Sequence, residues 1–125
     1  MANINTFKDL KVWQKSHELA LFTYRLTINF PPEEKYALVS QMRRSVVSVA
    51  SNIVEGFKRK TVKDSLNFYN ISAGSLEELK YQLLLSKDLG YLKEKNYLEV
   101  MNLADEVSKM LQAWSKSQKS NSNPA

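Results

Sequence analysis

The chain of 125 residues is of single-domain length, and 43% hydrophobic with 25% charged residues is an ordinary globular composition that supports one core without disulfides or a structural metal. It contains no cysteine, which excludes a disulfide framework, a Cys-based zinc site and a thiol nucleophile. Eighteen basic against 13 acidic residues leave a net charge of +5, a balance that favours polyanionic partners but is shared by many proteins that bind none.

Apolar runs of only a few residues exclude a membrane-spanning helix, and the stretch from Met1 to Lys11 lacks the apolar core of a secretion signal, so a cytoplasmic location is expected. Three glycines and three prolines then divide the chain into four segments of helical length. The first, about Leu10 to Asn29, places Trp13, His17, Ala20, Leu21, Tyr24 and Ile28 at steps of three or four along one face, which predicts the core-facing side. Thr6 with Asp9 has capping-box spacing just before it, and Phe30-Pro31-Pro32 stops it because proline has no N–H to donate.

The second segment is expected to begin at Pro32, with Glu33 and Glu34 at the positive end of the helix dipole, and to reach Phe57. Val39, Met42, Val46, Val49, Ile53 and Phe57 form its apolar face. Thr61 and Asp64 open the third segment, which runs to Leu89 and ends at Gly90, suited to a left-handed C-terminal residue. Leu66, Tyr69, Ala73, Leu76 and Leu83 form its apolar line, and the small residues Ser72 to Ser75 suggest close helix approach, with Gly74 kept for packing. The fourth runs from about Lys93 to Lys116 with Tyr97, Met101, Ala104, Leu111 and Trp114 on one face.

Short connections force neighbouring helices antiparallel, so the predicted fold is all-α: an up-down-up-down four-helix bundle over residues 1–115, followed by a disordered polar tail over 116–125.

A second, wholly polar stripe lies roughly 140° from the apolar face of the second helix: Gln41, Arg44, Ser48, Asn52 and Glu55. Ser75, Glu78 and Gln82 continue the theme on the third. Two readings stand side by side. The stripes are solvated faces, or they form a hydrogen-bonded network at a helix or subunit contact in which Arg44 forks onto Glu55 or Glu78. Lys58, Arg59, Lys60 and Lys63 put four cations in six positions at the turn between helices two and three, and with Arg43 they are the candidate phosphate contacts; a solvated surface loop has the same composition.

No catalytic constellation is present. The single histidine, His17, has no second His or Glu-x-x-His partner for a metal, no Gly-rich phosphate loop exists, and Glu77 and Glu78, about 100° apart on a helix, do not converge. Neither an enzymatic activity nor a cofactor is therefore expected.

Tyr36, Ala37 and Leu38, followed by Gln41, Arg43, Arg44, Ser45, Ser48, Ser51, Asn52, Ile53, Glu55 and Gly56, form a pattern that spans the second helix. Together with Phe7 to Lys15 and with Ala73, Gly74, Ser75, Leu76, Glu78 and Leu79, the chain resembles the four-helix-bundle family of ribosomal RNA intervening-sequence proteins over nearly all its length. The resemblance implies a homo-oligomeric, typically pentameric bundle, often encoded within an insertion in large-subunit ribosomal RNA genes, with no activity to transfer. It places Gln41, Arg43, Arg44, Ser48, Asn52, Glu55, Gly56, Ser75 and Glu78 at family motif positions. A related branch, the accessory variability proteins of diversity-generating retroelements, implies pentamers that bind reverse transcriptase and nucleic acid. The leading expectation is thus a nonenzymatic oligomer associated with structured RNA such as ribosomal RNA. The alternative is an assembly adaptor for a protein such as a reverse transcriptase.

Overall fold

The structure, a computed structural model, describes residues 3–122, with side chains through Ser120. The described residues form four α-helices: α1 (Lys11–Thr27), α2 (Leu38–Lys58), α3 (Val62–Asp88) and α4 (Glu94–Ser122). No strand occurs among the described residues. Each helix packs on its neighbours in sequence, and α4 returns against α1, while the diagonal pairs α1/α3 and α2/α4 stay apart. The result is the expected antiparallel four-helix bundle, square in cross-section.

Local chemistry explains the ends. Thr6 Oγ1 accepts from Lys8 N at 3.1 Å while Asp9 Oδ2 accepts from Thr6 N at 3.0 Å and from Asn5 N at 2.8 Å. These backbone donors, Thr6 first, hold the Asp9 carboxyl below its ordinary range. The capping box closes a 3₁₀ turn, Phe7–Asp9, and not α1 itself, because Leu10 is extended between them. A second departure lies before α2. Pro32–Glu34 forms a separate 3₁₀ turn, and Ala37 breaks the helical path at φ −119°, ψ −101°, so α2 starts at Leu38 instead of Pro32. Glu34 anchors that turn by accepting from the Tyr91 hydroxyl at 2.9 Å, which raises the Tyr91 pKa.

Thr61 caps α3 by accepting from Asp64 N at 3.2 Å. At its other end Gly90, at φ +83°, lets Tyr91 N reach back to Ser86 O at 2.9 Å, the left-handed stop expected there. Helix α4 continues to Ser122, where a tail disordered from residue 116 was expected. The segment has no helix breaker before Pro124, and Ser117 Oγ bonds the Trp114 carbonyl at 2.8 Å. The last three tail positions lie outside the described residues.

On the predicted apolar lines Met42, Val46, Val49, Ile53, Leu76, Leu83 and Ala104 are fully buried, with Phe57, Leu66, Ala73, Tyr97, Met101 and Trp114 half-buried against them, and Leu79, Val100 and Val107 complete the centre. Helix α1 is the exception. Its buried face is Val12, Ser16, Leu19, Thr23 and Thr27, whereas Leu21 (46%), Tyr24 (39%) and Ile28 (70%) are exposed. The expected face is therefore corrected by a rotation of the helix. Ser16, Thr23 and Thr27 tolerate burial because each hydroxyl donates to the carbonyl four residues earlier, at 2.7, 2.8 and 2.9 Å.

The most extensive helix–helix contact is between α2 and α3, and it depends on residues without bulk. Ser72 is fully buried and donates to the Val49 carbonyl of α2 at 2.7 Å. Gly56 lies under the Tyr69 ring, where an added Cβ would come within 2.7 Å of Cδ1. Gly74, to which the sequence assigns the packing role, is exposed with open space around its Cβ direction. Gly56→Ala is accordingly expected to destabilise the bundle by about 1–3 kcal/mol through overpacking. Gly74→Ala is expected to stabilise it by about 0.5–1 kcal/mol through helix propensity. Urea denaturation followed by circular dichroism measures both, and equal effects of the two substitutions would contradict the packing described.

Candidate nucleic-acid interface

The basic corner is built by the three-residue connection 59–61, which brings the C-terminus of α2 beside the N-terminus of α3. Lys58, Arg59, Lys60 and Lys63 are all exposed there. Arg59 is committed within the chain: Nη2 donates to Glu55 Oε2 at 2.7 Å, Nε donates to the Glu55 carbonyl at 3.2 Å, and the guanidinium lies 4.9 Å from the Phe68 ring centroid. Lys58, Lys60 and Lys63 make no ion pair among the described residues. They are the cations the corner offers to a partner.

Arg43 does not belong to this corner. It lies 15 residues before Lys58, roughly 22 Å along α2. Its Nε donates to Thr27 Oγ1 at 3.1 Å and Nη2 to the Tyr24 carbonyl at 3.3 Å, with the guanidinium 4.4 Å from the Tyr24 ring centroid. It ties α2 to the C-terminal end of α1, where the helix dipole favours a cation.

The polar stripe divides in two. Ser48 Oγ and Ser75 Oγ are 2.8 Å apart across α2 and α3, and Asn52 Nδ2 donates to Ser48 Oγ at 3.0 Å and to the Ser48 carbonyl at 2.8 Å. This half-buried cluster is the network the structure forms. Gln41, Arg44 and Glu78 are exposed and take no part in it. Arg44 does not fork onto Glu55, which lies 11 residues away, about 16 Å along the helix, and is held by Arg59 at i+4. Nor does it pair with Glu78, although both line one hollow with Tyr36 and Gln82.

Residues 8–113 match the family of 23S rRNA-intervening sequence proteins. The chain belongs to this family. A solved structure from Bacteroides thetaiotaomicron, described as a protein with unknown function from the S23 ribosomal protein family, is similar at a TM-score of 0.76 and 27% sequence identity, covering 84% of this chain and 98% of that one. No curated protein matches the sequence. The S23-family neighbour supports the bundle over nearly its own full length.

No cluster of three or more His, Cys, Asp or Glu side chains able to hold a metal occurs among the described residues. No helix among them is long and apolar enough to cross a membrane. His17 stacks on Trp13 with ring centroids 5.1 Å apart, and Trp13 in turn meets the edge of Phe7 at 4.9 Å. Two features escaped the sequence pattern. One is the exposed apolar strip Leu21, Tyr24 and Ile28 beside Val47 of α2, whose heptad-like spacing is that of a core face. The other is the Gln82 side-chain oxygen, buried without a hydrogen-bond partner.

Because Arg44 and Glu78 lack partners, Arg44→Ala and Glu78→Ala are each expected to shift bundle stability by less than about 0.5 kcal/mol. Ser72→Ala, which removes a buried hydrogen bond, is expected to cost about 1 kcal/mol. Thermal melting of the three variants decides whether stability rests on the buried α2–α3 seam and not on the exposed end of the polar stripe.

Proposed function

We propose that this member of the 23S rRNA-intervening sequence protein family is a nonenzymatic, self-associating cytoplasmic bundle that binds structured RNA, such as ribosomal RNA, through the α2–α3 corner. The observation that carries the reading is the set Lys58, Lys60 and Lys63, three exposed cations without acidic partners on one turn of a chain with net charge +5. Neutralising phosphates with such side chains releases condensed counterions, so affinity falls steeply with salt. Oligomers multiply the effect by presenting several corners to one RNA.

Self-association is assigned to the apolar strip of α1 and α2. Leu21, Tyr24, Ile28 and Val47 are between 39% and 70% exposed, and Leu21, Tyr24 and Val47 line a hollow of about 290 Å³ with His17, Ala20, Ala50 and Ser51. A contiguous apolar face of this kind marks a protein contact. A homo-oligomer, pentameric as in the resemblance above, is the proposed occupant. The same strip also suits the second reading, an adaptor that docks a protein such as a reverse transcriptase.

Light scattering coupled to size exclusion, with structured RNA at several salt concentrations, tests both parts. The Lys58, Lys60 and Lys63 triple alanine variant is expected to keep the oligomer mass and to flatten the slope of log affinity against log salt by about 2. Leu21→Glu with Val47→Glu is expected to yield monomers. Salt-independent RNA binding would overturn the corner, and a wild-type monomer would overturn the assembly.

A further inference from the structure

A hollow of about 380 Å³ opens on the outer α2–α3 face, lined in part by Tyr36, Gln41, Arg44, Ser45, Glu78 and Gln82. Its polar groups are unmet. Gln82 is 9% exposed, and its Oε1 is buried with no hydrogen-bond partner, which forfeits the hydration of that oxygen without return. Arg44 and Glu78 face the same hollow with opposite charges, yet make no ion pair with each other or with any described residue. Tyr36, at the rim, is 87% exposed, with Lys35 Nζ 5.4 Å from its ring centroid. A carboxylate and a buried carbonyl oxygen call for a ligand edge rich in donors. A guanidinium calls for acceptors, and an exposed phenol ring offers a stacking face.

We propose that this hollow binds an unstacked guanine base of single-stranded RNA. Guanine alone among the four bases places N1–H beside the N2 amino group, three donors on one edge, with the O6 and N7 acceptors adjoining. Glu78 accepts from N1–H and N2–H, a turn of the Gln82 amide brings its Oε1 to the other amino hydrogen, Arg44 donates to O6 or N7, and Tyr36 stacks on the ring. Adenine and cytosine carry one amino group, two donors in all, and uracil one ring N–H, so none gives Glu78 a pair of hydrogen bonds while also reaching Gln82. The proposal rests on the RNA reading and extends it. Arg44 stands 14 residues before Lys58, about 21 Å along α2, and Ser48, Asn52 and Ser75 keep the intervening furrow polar, so one strand can touch both sites.

Fluorescence anisotropy with the full chain provides the test, using a nine-nucleotide uridine-rich RNA with one central guanosine and matched RNAs carrying inosine, adenosine, cytidine or uridine there. The guanosine RNA is expected to bind about tenfold more tightly than the uridine RNA, with inosine, which lacks the N2 amino group, in between. Glu78→Gln is expected to erase the preference while leaving the uridine RNA unaffected. The Lys58, Lys60 and Lys63 variant should weaken every RNA and keep the preference. Equal affinity for all five RNAs overturns the base site and leaves the RNA reading standing. If no RNA binds, that reading falls, and titration with 5′-GMP alone decides the hollow: a Tyr36 fluorescence change that Glu78→Gln removes supports it, and silence overturns it. A shift in oligomer mass on Glu78→Gln, without loss of a guanosine preference, makes the hollow a contact between copies and overturns the proposal.

Discussion

The outer face of α2 and α3 depends on how closely these two helices approach. The Ser72 hydroxyl reaches the Val49 carbonyl at 2.7 Å, and Gly56 leaves just the room that the Tyr69 ring takes. Two helices joined by a three-residue connection can be antiparallel with side chains of any size between them. They lie this near only where serine and glycine stand at the contact. The Ser48–Ser75 bridge and the Asn52 side chain extend the contact towards solvent, so the polar stripe is the outer edge of a packed seam. The same approach gathers Lys58, Lys60 and Lys63 at one end and sets Arg44 opposite Glu78 towards the other.

Charge on this face is divided by what each group finds within reach. Arg59 and Arg43 are both spent internally, one on Glu55 and Phe68, the other on the last turn of α1. The guanidinium's planar fork and its affinity for aromatic faces favour such fixed partners, whereas the lysines of the corner stay hydrated and free. The cations left unpaired at the corner are therefore the lysines, although arginine is the commoner ligand of phosphate in a bidentate site.

Several features were legible in the residues alone. The Pro31-Pro32 pair, Thr61 and Gly90 mark helix ends through the loss of a donor, the supply of an acceptor and access to positive φ, all of which act within a few residues. The apolar lines of α2, α3 and α4 follow helical periodicity and lie in the core or half-buried against it. The face of α1 was misread because periodicity ranks residues by hydrophobicity, and Ser16, Thr23 and Thr27 hide their polarity by bonding to their own backbone. Once those hydroxyls are satisfied, a small buried face with Leu19 suits the space beside α2 and α4. The larger Leu21, Tyr24 and Ile28 are then left outside.

The sequence by itself determined the number of helices, the connections between them, the antiparallel order and the position of the basic corner, because each follows from local stereochemistry or from connections too short to allow another path. Only the tertiary structure decided which of two amphipathic faces α1 turns inward, which arginines are engaged, that Gly56 and not Gly74 is the close contact, and that Gln82 has a buried oxygen without a donor. Those outcomes depend on distances between residues far apart in the chain, and helical phase alone does not encode them.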